Sequence, residues 1–155
     1  MARTPKATTN KVGEGVRLGL LTTEFNADIT DAMRRLALET AKRVGATVVV
    51  DVRAPGVYDT PLLAKAMLAR PDVHGVVVLG AVVRGKTRHD EVVAFGAARA
   101  LTELALSSGK PVGLGITGPG QTRAQAKARI DRAAWAVESV CKQFTTLLAL
   151  RRPDG

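Results

Sequence analysis

The sequence predicts an α/β fold: a three-layer α-β-α sandwich around a four-stranded parallel sheet. Three observations carry that expectation. Apolar runs of strand length alternate with segments of helical period in the order β-α-β-α-β-α-β-α, which favours one parallel sheet with right-handed crossovers. The run over 47–52 is β-branched almost throughout and the run over 75–79 is apolar without alternation, as in strands covered on both faces. Polar and aromatic residues follow every run: Phe25-Asn26, Val57-Tyr58-Asp59, Lys86-Thr87-His89 and Thr117-Gly118-Pro119-Gly120. Parallel sheets bind their ligands beyond those carboxyl ends.

In order along the chain, residues 1–15 are polar, basic and poor in large apolar side chains, and read as a flexible arm. Residues 16–22 form the first strand. Ile29, Met33, Leu36, Ala37, Thr40 and Val44 recur at helical spacing, and Gly45 is placed to end that helix. The second strand is 47–52. A loop over 54–60 leads to Pro61, which suits the first turn of a helix over 62–70. The third strand, 75–79, enters a turn that begins at Gly80. A helix starts at Asp90, with Val92, Val93, Gly96, Ala97, Ala100, Leu101 and Leu104 as its apolar face, and stops near Gly109. The fourth strand is 111–116, and Thr117-Gly118-Pro119-Gly120 is a turn. One long helix over 122–149 carries Ile130, Ala134, Val137, Cys141, Phe144 and Leu148 along one side. The single domain is therefore 16–150, and 151–155 is a polar tail.

The chain has 155 residues, 46% of them apolar, enough for one domain with a proper core. Lysine and arginine number 23 against 14 acids, a formal charge of +9, which favours anionic partners. Aromatics are only 3%, too few for the stacking surfaces of a single-strand nucleic-acid binder. One cysteine, Cys141, permits no internal disulfide and fits a reducing, cytoplasmic setting. No run approaches the ~20 apolar residues of a membrane span.

Gly80-Ala81-Val82-Val83-Arg84-Gly85-Lys86-Thr87 fits G-x-x-x-x-G-K-[ST], between an apparent strand and an apparent helix. The nucleotide-binding reading fails on its surroundings. Val82 and Val83 are β-branched where a phosphate cradle needs small residues. The Walker-B-like Val48-Val49-Val50-Asp51 precedes the loop instead of following it. What survives is a seat for one phosphate at a helix start, with Lys86 and Thr87 beside the free amides. His89 there is either a surface or capping residue or a general acid/base with Asp90 and Glu91 as neighbours, and spacing leaves both open. His74 lies at a strand start and reads as surface. Asp59 reads as a turn cap ahead of Pro61. Arg123 and Lys127 sit near the positive end of a helix dipole, where an anion nearby would explain them. Trp135 reads as a packing or subunit-contact residue.

Taken together, these segments resemble the lumazine synthase family of riboflavin biosynthesis, over about residues 18–148. Glu24-Phe25-Asn26 resembles its Phe-Asn after strand one. Ala54-Pro55-Gly56-Val57-Tyr58-Asp59-Thr60-Pro61 resembles its Val-Pro-Gly-Ala-Phe-Glu-Ile-Pro. The Gly80 to His89 stretch resembles its Gly-Ala-Val-Ile-Arg-Gly-x-Thr-x-His. Pro111 to Thr117, then Gln125-Ala126 and Arg129, follow its last motif. His89-Asp90-Glu91-Val92-Val93 and Gly115 to Gly120 are most similar to archaeal members.

The resemblance implies a flavodoxin-like fold and a reaction. A ribitylaminopyrimidinedione condenses with 3,4-dihydroxy-2-butanone 4-phosphate, phosphate leaves, and the ring closes to 6,7-dimethyl-8-ribityllumazine, with no cofactor or metal. It implies His89 as the proton donor and acceptor. Lys86 and Thr87 would bind phosphate, with Arg129 arriving from a neighbouring subunit. Phe25 and Asn26 would bind the pyrimidine, the ring of Phe25 stacking on it. Val57, Tyr58 and Asp59 would hold the ribityl chain, Ala81, Val82 and Val83 the ring's edge, and Leu114 would come from the neighbour. It further implies self-association into pentamers, in some members assembled into icosahedral shells. The short connection before the last helix leaves the shell open here. Asp59 stands where the family has Glu, Tyr58 and Leu114 where Phe is common, and Lys86 where a small residue is usual. Trp135 stands in the place of its late lysine. These departures also frame a second expectation, a non-catalytic relative that forms shells or binds flavin-like ligands. The intact Gly85-x-Thr87-x-His89 speaks against a third, the archaeal riboflavin synthase paralogue.

Overall fold

A computed structural model describes residues 11–153 of the chain. Strands β1 (Arg17–Thr23), β2 (Thr47–Ala54), β3 (Gly75–Val83) and β4 (Val112–Gln121) form one sheet in the order β2-β1-β3-β4. Every neighbouring pair is parallel. The helices are α1 (Ala27–Val44), α2 (Thr60–Leu68), α3 (His89–Ser108), α4 (Arg123–Ala128) and α5 (Arg132–Leu150), with a 3-10 turn at Val57–Asp59.

The layers follow from the pleat. Leu18 and Leu20 of β1, with Val77, Leu79 and Ala81 of β3, face α1 and α5. Leu21, Val76 and Val78 point the other way, towards α2 and Leu101 of α3. Because both faces of β1 and β3 are covered, their sequences read as unbroken apolar runs. Each large side chain so buried contributes about 1.5–3 kcal/mol by leaving water. This is the three-layer sandwich that the alternation predicts, and it is flavodoxin-like, as the resemblance implies. Gly45, at φ 86°, ends α1 in the left-handed conformation expected of it.

Five local expectations are corrected. Residues 12–15 are not part of an arm but a turn: Gly13 N donates to Val44 O at 2.8 Å, and Val12 packs on the core. Of the rest of the expected arm, Lys11 is exposed without regular structure, and residues 1–10, like tail residues 154–155, lie outside the described residues. β3 runs on to Val83, so Gly80-Ala81-Val82-Val83 is strand, held by pairing to β4. β4 likewise continues through Thr117-Gly118-Pro119-Gly120 to Gln121. The register slips there: Ala81 faces Thr117 while Val83 faces Gln121, leaving extra residues on β4. The long final helix is two helices, broken at 129–131. No Gly or Pro stands at the break, so packing sets it: α4 covers the top of β3 and β4, while α5 lies along α1 and β4. Finally, Val92 of α3 is 66% exposed and Gly96 faces open space. The buried line is Asp90, Ala94, Ala97 and Leu101.

His74 is not simply at the surface. Its Nδ1 accepts from Arg17 N at 2.9 Å, its own N donates to Arg17 O at 2.8 Å, and its ring stacks on Phe144, centroids 4.2 Å apart. Burial first, then the charges of Arg17 and Lys110, hold its pKa below the ordinary histidine value.

Candidate active site

Three strand ends build one hollow. β1 ends at Thr23, and the chain then turns through Asn26, which holds φ 61° and ψ 49°. Asn is among the few side chains that adopt this region readily. Its Nδ2 donates to Ala81 O at 3.0 Å, and its Oδ1 accepts from Arg123 Nη1 at 3.2 Å. Thus Asn26 rivets the end of β1 to β3, and the chain reversal leaves the ring of Phe25 73% exposed at the rim. After β2, Gly56 N donates to Asp59 Oδ2 at 2.9 Å, closing the turn that buries Val57 and leaves Tyr58 72% exposed. This is the capping role expected for Asp59.

β3 supplies the floor, Ala81 and Val82, both buried. The loop 84–88 then rises to α3 and is clasped at both ends by β4. Arg84 N donates to Gln121 O at 2.9 Å. At the other end, Gly120 N donates to Asp90 Oδ2 at 2.9 Å. Gly118 makes this approach possible. It sits at φ 95°, and a Cβ there would lie 2.2 Å from Val82 O, so no other residue fits.

The resulting cavity has a volume of about 360 Å³, in the range of small-molecule sites. Phe25, Asn26, Val57, Tyr58, Ala81, Val82, Val83, Thr87 and His89 all line it. So do Thr23, Asp90 and Val93, none of them expected as a substrate contact: the sequence places Asp90 only as a neighbour of His89, and Val93 only on the apolar face of its helix. Thr23 is buried, and its hydroxyl has no partner among the described residues. Asp90 is also buried, at 8% exposure. Nothing local marks either residue; an acid in a first helical turn is ordinary.

Four predicted residues lie elsewhere. Lys86 and Asp59 are exposed neighbours of the cavity and do not line it. Leu114 lies on the edge strand β4, in a separate groove beside Leu106 and Gln143. Arg129 is bound to Gln121, its Nη1 donating to Oε1 at 3.0 Å.

The charges sort the remaining expectations. The anion that explains Arg123 and Lys127 is Asp28. Arg123 Nη2 pairs with it, and Lys127 Nζ lies at 3.9 Å. The Arg123 hydrogen bond, above all, holds the Asp28 carboxyl below its ordinary pKa. Asp51, the Walker-B candidate, is paired with Arg34 on the edge strand β2, and Gly80 is packed inside β3 against Val57 and Thr23. No phosphate cradle of the nucleotide-binding kind exists there. Trp135 is half exposed under the guanidinium of Arg132, 4.2 Å from the ring centroid. Among the described residues no three His, Cys, Asp or Glu side chains converge as metal ligands would.

Comparison with known proteins agrees with this geometry. The family profile described as 6,7-dimethyl-8-ribityllumazine synthase matches residues 15–148. The chain is 48% identical over 135 residues to the 6,7-dimethyl-8-ribityllumazine synthase of Methanocaldococcus jannaschii, covering 87% of this chain and 96% of that protein. It is 49% identical over 132 residues to the protein of the same name from Methanococcus aeolicus, covering 85% and 97%. For that of Pyrobaculum arsenaticum the figures are 48% over 128 residues, 82% and 85%.

Proposed function

The chain belongs to the 6,7-dimethyl-8-ribityllumazine synthase family, and from that premise we propose how its residues divide the work. The reaction condenses 5-amino-6-(D-ribitylamino)uracil with 3,4-dihydroxy-2-butanone 4-phosphate, a step of riboflavin biosynthesis. The observation that carries the assignment is that three strand ends, far apart in sequence, line one cavity with an exposed ring and an exposed imidazole at its rim.

Phe25 stacks on the pyrimidine, and Ala81, Val82 and Val83 contact its edge. Asn26 is a support for Phe25, because both ends of its amide are already engaged. Val57, Tyr58 and Asp59 hold the ribityl hydroxyls. His89 moves the protons. An amine adding to a ketone loses a proton from nitrogen, and the departing hydroxyl needs one; a single imidazole near neutrality can take the first and give the second. Holding both substrates in place removes much of the entropic barrier. Lys86 and Thr87 receive the phosphate at the start of α3, where free amides and the helix dipole favour an anion. The scheme uses no cofactor and no metal.

Arg129 and Leu114 act on the cavity of a neighbouring copy, since in their own chain both lie outside it. We read the assembly as a pentamer, with a shell of pentamers as the larger form. Leu62, Val92, Phe95 and Leu106, each more than 60% exposed on α2 and α3, are apolar side chains that such an assembly would cover. No helix among the described residues is long and apolar enough to cross a membrane, and the reading places the enzyme in the cytoplasm.

The test is direct. Purified protein given both substrates should form the fluorescent lumazine without added metal or nucleotide. Product no faster than in buffer alone, with the ligand still bound, would instead favour the non-catalytic relative.

A further inference from the structure

The geometry points to Gln121 as a positioning residue that holds the guanidinium of Arg129 in its phosphate-binding attitude. Gln121 is 1% exposed, and a buried amide must have both ends satisfied. Its Nε2 donates to Thr117 Oγ1 at 2.9 Å, and its Oε1 accepts from Arg129 Nη1 at 3.0 Å. Residues four apart on a regular strand stand about 13 Å apart. Thr117 and Gln121 touch only because β4 folds back through Gly118 and Gly120, at φ 95° and 75°. The register slip thus serves to place one neutral acceptor under one arginine. The guanidinium, which can only donate, turns the amide oxygen towards itself, and the Thr117 hydroxyl, which can accept, takes the nitrogen. The main chain of the same residue holds Arg84 N at 2.9 Å, the first residue of the loop that carries Lys86 and Thr87. One residue therefore sets both the loop and the arginine.

The choice of an amide is informative. A guanidinium has five donors in a planar fork, and holding one on a neutral oxygen leaves the others, and the whole positive charge, for a phosphate. A carboxylate at 121 would hold the arginine equally well but spend its charge. Among the described residues no carboxylate lies within ion-pair distance of Arg129. Two cations of α4, Arg123 and Lys127, are committed instead to Asp28. The inference rests on the reading of Arg129 as the phosphate contact.

Steady-state kinetics on the full-length enzyme test it, with each substrate varied in turn for Gln121→Met, Arg129→Ala and the double variant. Gln121→Met should raise KM for the butanone phosphate about three- to tenfold, the cost of re-ordering a freed arginine. KM for the pyrimidine should not move. In the Arg129→Ala background the same change should add nothing. Gln121→Glu should also raise the phosphate KM, because it neutralises the charge while keeping the bond. Thr117→Val, a near-isosteric change, should act in the same direction as Gln121→Met but less, and it carries the comparison if Gln121→Met does not fold. Multiplying losses in the double variant, or equal losses on both substrates, would overturn the inference while leaving Arg129 its role. An Arg129→Ala enzyme with an unchanged phosphate KM would overturn the role of Arg129, and the inference with it.

Discussion

The two histidines stand at opposite ends of the sheet, and their surroundings differ in kind. At the amino ends of the strands, His74 is stacked on Phe144 and locked to Arg17. The cations around it all have partners. Arg17 Nε donates to Asp72 O at 2.9 Å, and Arg70 pairs with Asp72. Lys110 Nζ donates to Leu68 O, at the end of α2, and to Arg70 O just past it, and Arg151 donates to Gly109 O beyond the end of α3. At the carboxyl ends, His89 is exposed on an open cavity, its ring without a hydrogen-bond partner among the described residues. Arg84, Lys86 and Arg88 beside it form no ion pair among them either. Fixed order there lies in the clasp of β4 on the loop and in the anchoring side chains of Asn26 and Asp90. At the amino end the cations and the histidine are all bonded. At the carboxyl end the anchors are bonded, but Phe25, Lys86 and His89 are left exposed around the cavity.

The contrast can be broken from either end. The largest effect is expected from His89→Ala, which should lower kcat by about a hundredfold or more, the usual worth of a positioned acid/base, with the melting temperature unchanged because the ring is exposed and unbonded. Gly118→Ala should destabilise the fold by about 3 kcal/mol, since φ 95° and the carbonyl of Val82 both refuse a Cβ; thermal melts would report it, with activity falling alongside. Asp90→Ala removes one buried charged acceptor from Gly120 N and should cost about 1.5–3 kcal/mol, seen as a lower melting temperature and a lower kcat/KM.

The smallest effect lies at the other end. The pKa of His74 is depressed in the folded state, so the unfolded chain binds its proton first as pH falls. Stability is then whole above the ordinary histidine value of about 6.5 and drains away below it. Melting temperature should drop between pH 7 and 5, and His74→Gln should flatten that slope while lumazine formation at pH 7 stays near its wild-type rate.

Much of this division was legible before any coordinates. Strand and helix order follow from unbroken apolar runs and from period, and the gathering of Phe25, Val57, Thr87 and His89 follows from the rule that parallel sheets bind ligands at their carboxyl ends. What escaped was set by pairing between distant segments. Gly80 to Val83 has the look of a loop because of its glycine and the motif around it, yet β4 captures it as strand. Thr117 to Gly120 reads as a turn from its glycines and proline, and those residues do bend the chain, but inside a ladder. The break at 129–131 has no local cause at all. The Thr122–Gln125 capping box that starts α4 could have been read, since its Thr-x-x-Gln spacing is a known signature. The bond of Asp90 to Gly120 and the role of Gln121 could not, because each depends on a partner some 30 or 8 residues away.

The central claim is that the cavity at the carboxyl ends of β1, β2 and β3 seats the reaction. A crystal structure of the protein with 6,7-dimethyl-8-ribityllumazine bound tests it most directly. The bicyclic ring should lie against Phe25 and Val82 with His89 within reach of it. A ring seated instead at the amino ends near His74, or in the groove beside Leu114 and Leu106, would contradict the account.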